Sequence, residues 1–113
     1  MTTRQDIADA INNAAIDPAL EAVVGRPSVL GPMLAWPQIQ SFDRLDGLWA
    51  KTWAVYVTLP ADITGAEDWL DDHIQDLFDA LQPVVFTDPS VQLVDLGRGV
   101  DNVFAIQINA RSE

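Results

Sequence analysis

Between Trp49 and Leu59 the chain alternates. Trp49, Trp53, Val55, Val57 and Leu59 fall on one side, with Lys51 the exception, while Thr52, Tyr56 and Thr58 fall on the other. A period of two is the mark of a half-buried β-strand, and Pro60 closes it. The spacing then changes. Ala66, Trp69, Leu70, Ile74, Leu77, Phe78 and Leu81 recur as the apolar stripe of an amphipathic α-helix. Thr64-Gly-Ala-Glu67 predicts a capping box at its start, and Pro83 predicts its end.

The flanking segments complete the order of elements. Thr3, with Asp6 three residues on, predicts a helix start, and Ile7, Ala10, Ile11 and Ala14 share one face of a helix over about residues 4 to 16. Pro18 interrupts this pattern, although "PALEAVV" could add a turn before Gly25. Residues 25 to 34, "GRPSVLGPML", read as an irregular connection. The chain becomes extended around Trp36, where Pro37 points to a sheet edge because proline cannot donate to a ladder. In "FDRLDGLW", Asp46-Gly47 is a two-residue turn signal between strands. At the C-terminal end "VQLVDL" and "NVFAIQINA" predict two strands joined near Gly97-Arg98-Gly99 or Asp101-Asn102. In the second, Phe104, Ile106 and Ile108 alternate with Ala105, Gln107 and Asn109. The order α-β-β-(β)-α-β-β predicts an α+β fold: a mostly antiparallel sheet with two helices packed on one face, in a single domain spanning residues 1–113.

Composition narrows the function. In 113 residues, 49% are apolar and 20% charged, enough to fold around a core. Seventeen acidic groups against six basic ones give a formal net charge of -11. Such a chain repels phosphate backbones, so no specific nucleic-acid binding is expected. There is no cysteine, which removes disulfides and thiol chemistry. "MTTRQDIADA" lacks the features of a secretory signal, and the densest apolar run, Trp53 to Val57, is far shorter than the roughly 20 residues of a membrane span. No membrane partner and a soluble, intracellular location are expected.

The chemistry-bearing residues are few. The one histidine, His73, projects into the apolar stripe of the second helix, whereas Asp68, Asp71, Asp72, Asp76 and Asp79 occupy the opposite face. Ligands that diverge cannot converge on a metal, and no H-E-x-x-H pattern is present. A triad would have to combine His73 with Ser28, Ser41, Ser90 or Ser112, none of them in a nucleophile context. Gly97-Arg98-Gly99 has neither the third glycine nor the following helix of a dinucleotide site. The expectation is a non-enzyme, with no catalytic, metal or cofactor-binding residues and no cofactor.

Two surfaces remain as candidates. Met33, Leu34, Trp36, Ile39, Phe42 and Trp49, around the predicted hairpin, have the aromatic and apolar character of a subunit interface. The competing reading is that the hairpin folds back and buries them. The five aspartates of the second helix read first as the solvated outer face of a helix packed on the sheet; as a candidate acidic surface they carry like charges at i,i+4 spacing that cost folding a few tenths of a kcal/mol each.

Several segments carry a family resemblance. They are the short N-terminal helix leading into "DPALEAVVG", the arm "MLAWPQIQSF", the strand ending "WAVYVTLPAD", the helix "AEDWLDDHIQDLFDAL", and the hairpin ending "VFAIQINA". In these features and their order the chain resembles tail terminator (tail completion) proteins of long-tailed bacteriophages, especially phages of actinobacteria. The resemblance spans nearly the whole length. It implies a structural virion protein that forms a ring, usually a hexamer, which caps the tail tube and ends its polymerisation. The implied partners are other copies of the chain, the tail tube protein and the head-tail connector proteins. The implied location is the tail-neck junction of the virion, with assembly in the host cytoplasm. The alternatives are another neck or head-tail connector subunit, and an acidic inhibitor or DNA mimic.

Overall fold

One five-stranded sheet organises the protein. The computed structural model describes residues 3–14, 16, 20–25, 33–45, 48–59, 63–95 and 104–112. The elements run α1 (Thr3–Asn13), β1 (Glu21–Ala22), β2 (Leu34–Leu45), β3 (Leu48–Thr58), α2 (Ile63–Leu81), β4 (Phe86–Asp95) and β5 (Phe104–Ser112). Across the sheet the order is β1-β2-β3-β5-β4. Every pairing is antiparallel except β1 with β2. This is an α+β fold.

Register explains why the strands read as they do. Residues directly opposite each other share a face, so Ala35, Val57, Ile106 and Leu93 lie on one side, together with Trp53, Val55, Ile108, Val91 and Ala110. On that side the buried strand residues form one core with Ile7, Ala8 and Ile11 of α1 and with Ala66, Trp69, Leu77 and Leu81 of α2. Both helices therefore pack on the same face of the sheet. Each fully buried leucine or isoleucine contributes about 1.5–3 kcal/mol. Gln38, Thr52, Tyr56, Gln92, Gln107 and Asn109 belong to the opposite face, which is polar but carries no carboxylate at any of these positions.

The ends of elements differ from the sequence expectation for local reasons. α1 stops at Asn13, earlier than periodicity implies, because Asn12 is recruited elsewhere. Ala22 N–H donates to Asn12 Oδ1 (2.9 Å), and Asn12 Nδ2 donates to the Ala22 carbonyl (3.0 Å). The side-chain amide thus imitates a neighbouring strand and holds β1, a parallel strand where a further helical turn was the alternative. Ala8, not Ala14, completes the buried face of α1; Ala14 is exposed. α2 begins at Ile63, so Thr64 sits inside the first turn and not at the cap. Its C-terminus at Leu81 matches the stop expected before Pro83.

The start of β2 is tightly specified. Met33 has φ 62°, a left-handed conformation that costs a non-glycine residue about 1 kcal/mol. Four hydrogen bonds hold it there. Met33 N–H donates to the Thr58 carbonyl (3.2 Å), and Glu21 N–H donates to the Met33 carbonyl (3.1 Å). Leu34 N–H donates to Thr58 Oγ1 (2.7 Å), whose hydroxyl donates back to the Leu34 carbonyl (3.2 Å). From here Pro37 meets its expected setting. Val23 N–H donates to the Ala35 carbonyl (2.8 Å), so Ala35 and, two residues on, Pro37 direct their backbone groups away from β3, and the missing N–H of Pro37 falls on that outer side.

Candidate functional site

Past the core, β2 and β3 continue as a two-stranded ribbon. β5 accompanies β3 only as far as Lys51↔Ser112, and β1 accompanies β2 only at Leu34 and Ala35. A bulge between Ile39 and Ser41 bends the strand, and the ladder then runs Phe42↔Lys51, Asp43↔Ala50, Arg44↔Trp49 and Leu45↔Leu48. The last pair leaves two residues between the strands, as Asp46-Gly47 predicts, although those two lie outside the described residues. At about 3.3 Å per residue the three pairs beyond Phe42↔Lys51 project roughly 10 Å. The molecule is correspondingly long, 46 × 29 × 24 Å.

The six hairpin candidates divide. Trp36 is buried, 1% exposed, and its ring stacks on Tyr56 at 5.5 Å. It is buried beside Tyr56 on the face opposite the helices, which corrects its place among the candidates for an exposed interface. The reason is the register that sets it opposite Tyr56, a pairing between strands that sequence spacing alone does not define. Its indole Nε1 is buried with no hydrogen-bond partner among the described residues, a state that costs about 1–3 kcal/mol. Met33, Leu34 and Ile39 are half-buried, and Met33 and Ile39 pack against the core. Phe42 and Trp49 hold the ribbon positions; their side chains lie outside the described set.

The acidic candidates behave as one group. Asp68, Asp71, Asp72, Asp76 and Asp79 are all exposed on α2, as is Glu67. Gln75 Nε2 donates to Asp79 Oδ1 at 3.0 Å, a one-turn contact along the helix surface. His73 sits between the two faces. It is half-buried, stacks on Trp69 at 4.7 Å with an interplanar angle of 19°, and its Nδ1 lies 2.9 Å from the Trp69 carbonyl. A carbonyl only accepts, so Nδ1 carries a proton and Nε2 is the remaining ring nitrogen. The ring is fixed by its own helix. Among the described residues no group of three or more His, Asp or Glu could hold a metal ion, and no helix is long and apolar enough to cross a membrane.

Two hollows adjoin α2, neither foreseen from sequence. One, of about 410 Å³, lies between the end of α1 and α2 and is lined by Ala14, Ile16, Asp76, Asp79 and Ala80. The other, of about 500 Å³, lies between α2 and β4 and is lined by Ile74, Gln75, Phe78, Gln82, Thr87 and Val91. The half-buried state of Ile74 and Phe78, at the margin of the apolar stripe, is its sequence signal. In comparisons with known proteins, no family model matches the chain and no curated protein matches it.

Proposed function

We propose that the protein is a structural subunit that assembles with its own copies into a ring of the tail-terminator kind, capping a phage tail tube and joining it to the head-tail connector. The observation that carries self-assembly is the ribbon. Two strands with no further strand neighbours among the described residues are marginal in water, yet this one includes Phe42, Leu45, Leu48 and Trp49. Apolar and aromatic residues of this kind are common material of an interface. The terminator assignment in particular rests on the family resemblance of the segments quoted above. The acidic face of α2 fits a ring through which DNA passes, because carboxylates do not adhere to phosphates.

The DNA-mimic reading calls for carboxylates spread over several elements. The exposed acids described here concentrate on α2, with Glu21 apart from them. Mass measurement of the assembled state separates the readings. A hexamer, formed at high concentration or on tail tubes, is expected. A strict monomer under all conditions, tube protein included, would remove the ring reading, and tight binding of that monomer to a basic nuclease or repressor would favour the mimic.

A further inference from the structure

The two edges of the sheet end differently. At the β1 edge, Glu21 and Val23 donate to β2, and the outward N–H and C=O of Ala22 are both taken by the Asn12 amide. Just beyond, at the next outward position of β2, Pro37 has no N–H to offer. The β4 edge has no such closure among the described residues. Leu59 N–H donates to the Phe104 carbonyl (2.8 Å), so Phe104, Ile106 and Ile108 direct their backbone groups to β3, and Ala105 and Gln107 direct theirs to β4. Val94 and Gln92 are the residues opposite them. Val91 and Leu93, in the alternate positions, therefore turn their N–H and C=O outward, to the side where the strand order ends. Pro89 belongs to the interrupted part of the ladder, and this open stretch begins after it.

The side chains beside the open stretch change character along it. Leu93 is 53% exposed and shares a face with Val91, which lines the α2–β4 groove with Ile74 and Phe78. The chain reverses between α2 and β4, so Gln82 and Thr87 stand at one end of that groove and Ile74 and Val91 toward the other. Further toward the start of α2 come carboxylates. Asp71 lies one turn before Gln75 and Glu67 one turn before Asp71, on the same flank of the helix, and both are exposed. β4 itself ends in Asp95.

We propose that β4 takes up an extended segment of a different protein as a further strand, with apolar residues beside Val91 and Leu93 and Lys or Arg toward Asp71 and Glu67. Main-chain hydrogen bonds to the open edge supply the affinity, and the alternate side chains select the partner. A second copy of the chain is a poor occupant here. Each copy carries a net charge of -11, its β4 would bring the same carboxylates, and its β1 edge is closed. The inference does not depend on the ring reading.

A synthetic peptide alternating Val and Lys serves as the probe, with a Val–Glu peptide as its control. The Val–Lys peptide, and not the control, should slow hydrogen exchange at the Val91 and Leu93 amides of the full chain. Leu93→Pro removes an outward N–H that β5 does not use, so a near-native Tm and at least tenfold weaker binding are expected. Asp71→Lys should weaken binding several-fold, whereas Asp76→Lys, the same charge change on the flank of α2 toward α1, should have a smaller effect. Equal losses in these two variants, or binding without protection of Val91 and Leu93, would mean general charge attraction and overturn the proposal. Absence of binding would overturn it as well. So would protection of both amides in the free chain, because the edge would then already be covered. Dimers that form without peptide and dissociate in Leu93→Pro would make a second copy the occupant instead.

Discussion

β2 and β3 pass through two different environments. Around Ala35–Ile39 and Trp53–Thr58 they have neighbouring strands, and their inward residues meet α1 and α2 in the core. Beyond Ser41 and Lys51, among the described residues, they pair only with each other. Strand-forming residues occupy both stretches, and in the first the inward residues are buried in the core. The contrast separates residues that hold the monomer from residues that the proposed assembly would use. It also reassigns tryptophans that composition alone would group: Trp53 is buried in the core under the helices, Trp36 is buried beside Tyr56 on the other face, and Trp49 holds a ribbon position.

Truncating one tryptophan on each side gives the widest expected difference. Trp53→Ala removes a ring that is 1% exposed in the core and should cost about 3–5 kcal/mol, a large part of the roughly 5–15 kcal/mol that holds a domain of this kind together. Trp49→Ala should cost the monomer under about 1 kcal/mol in urea unfolding and still reduce assembly. If both variants unfold alike, the ribbon is part of the core and the division between the two regions fails.

A subtler break lies where the core half of β2 begins. Thr58→Val keeps the side-chain shape and deletes the hydroxyl that serves both Leu34 N–H and the Leu34 carbonyl. Leaving those groups unpaired should cost about 1–3 kcal/mol. Hydrogen exchange should show the loss first at Leu34 and Glu21, the amides nearest the Met33 corner. An unchanged exchange pattern with unchanged stability would mean that the positive φ of Met33 does not depend on this bracket.

The same division describes how much the sequence discloses. β3 and α2 were legible because each holds a long, undisturbed period: burial follows the helical period from Ala66 to Leu81, and along β3 the expected inward residues Trp53, Val55, Val57 and Leu59 are buried, although Ala54 and Thr58 of the other face are buried too. β1 was not, because two residues carry no period and its partners are a distant strand and the side chain of Asn12. The first half of β4 was hidden by Pro89. The strand starts at Phe86, and its ladder to β5 is interrupted between Thr87 and Val91, an irregularity that accommodates a residue without an N–H. At the candidate surfaces, the exposed aspartates followed from the helical wheel. The burial of Trp36 and the α2–β4 groove did not, because both depend on which strands are neighbours.

The smallest expected effect bears on the acidic face itself. Asp72 lies at mid-helix, beyond the reach of the favourable N-terminal dipole, with Asp68 and Asp76 one turn away on either side. Asp72→Lys turns two like-charge i,i+4 pairs into opposite-charge pairs, and each such pair is worth about 0.2–0.5 kcal/mol. The variant should therefore be more stable by roughly 1 kcal/mol, a rise of a few degrees in Tm that shrinks as salt is added. If the face lines a DNA passage, Asp72→Lys rings should still form but bind DNA in low salt where the native rings do not. If the variant gains stability and acquires no affinity for DNA, the aspartates are a solvated outer surface, and the charge of α2 has no part in the passage of DNA.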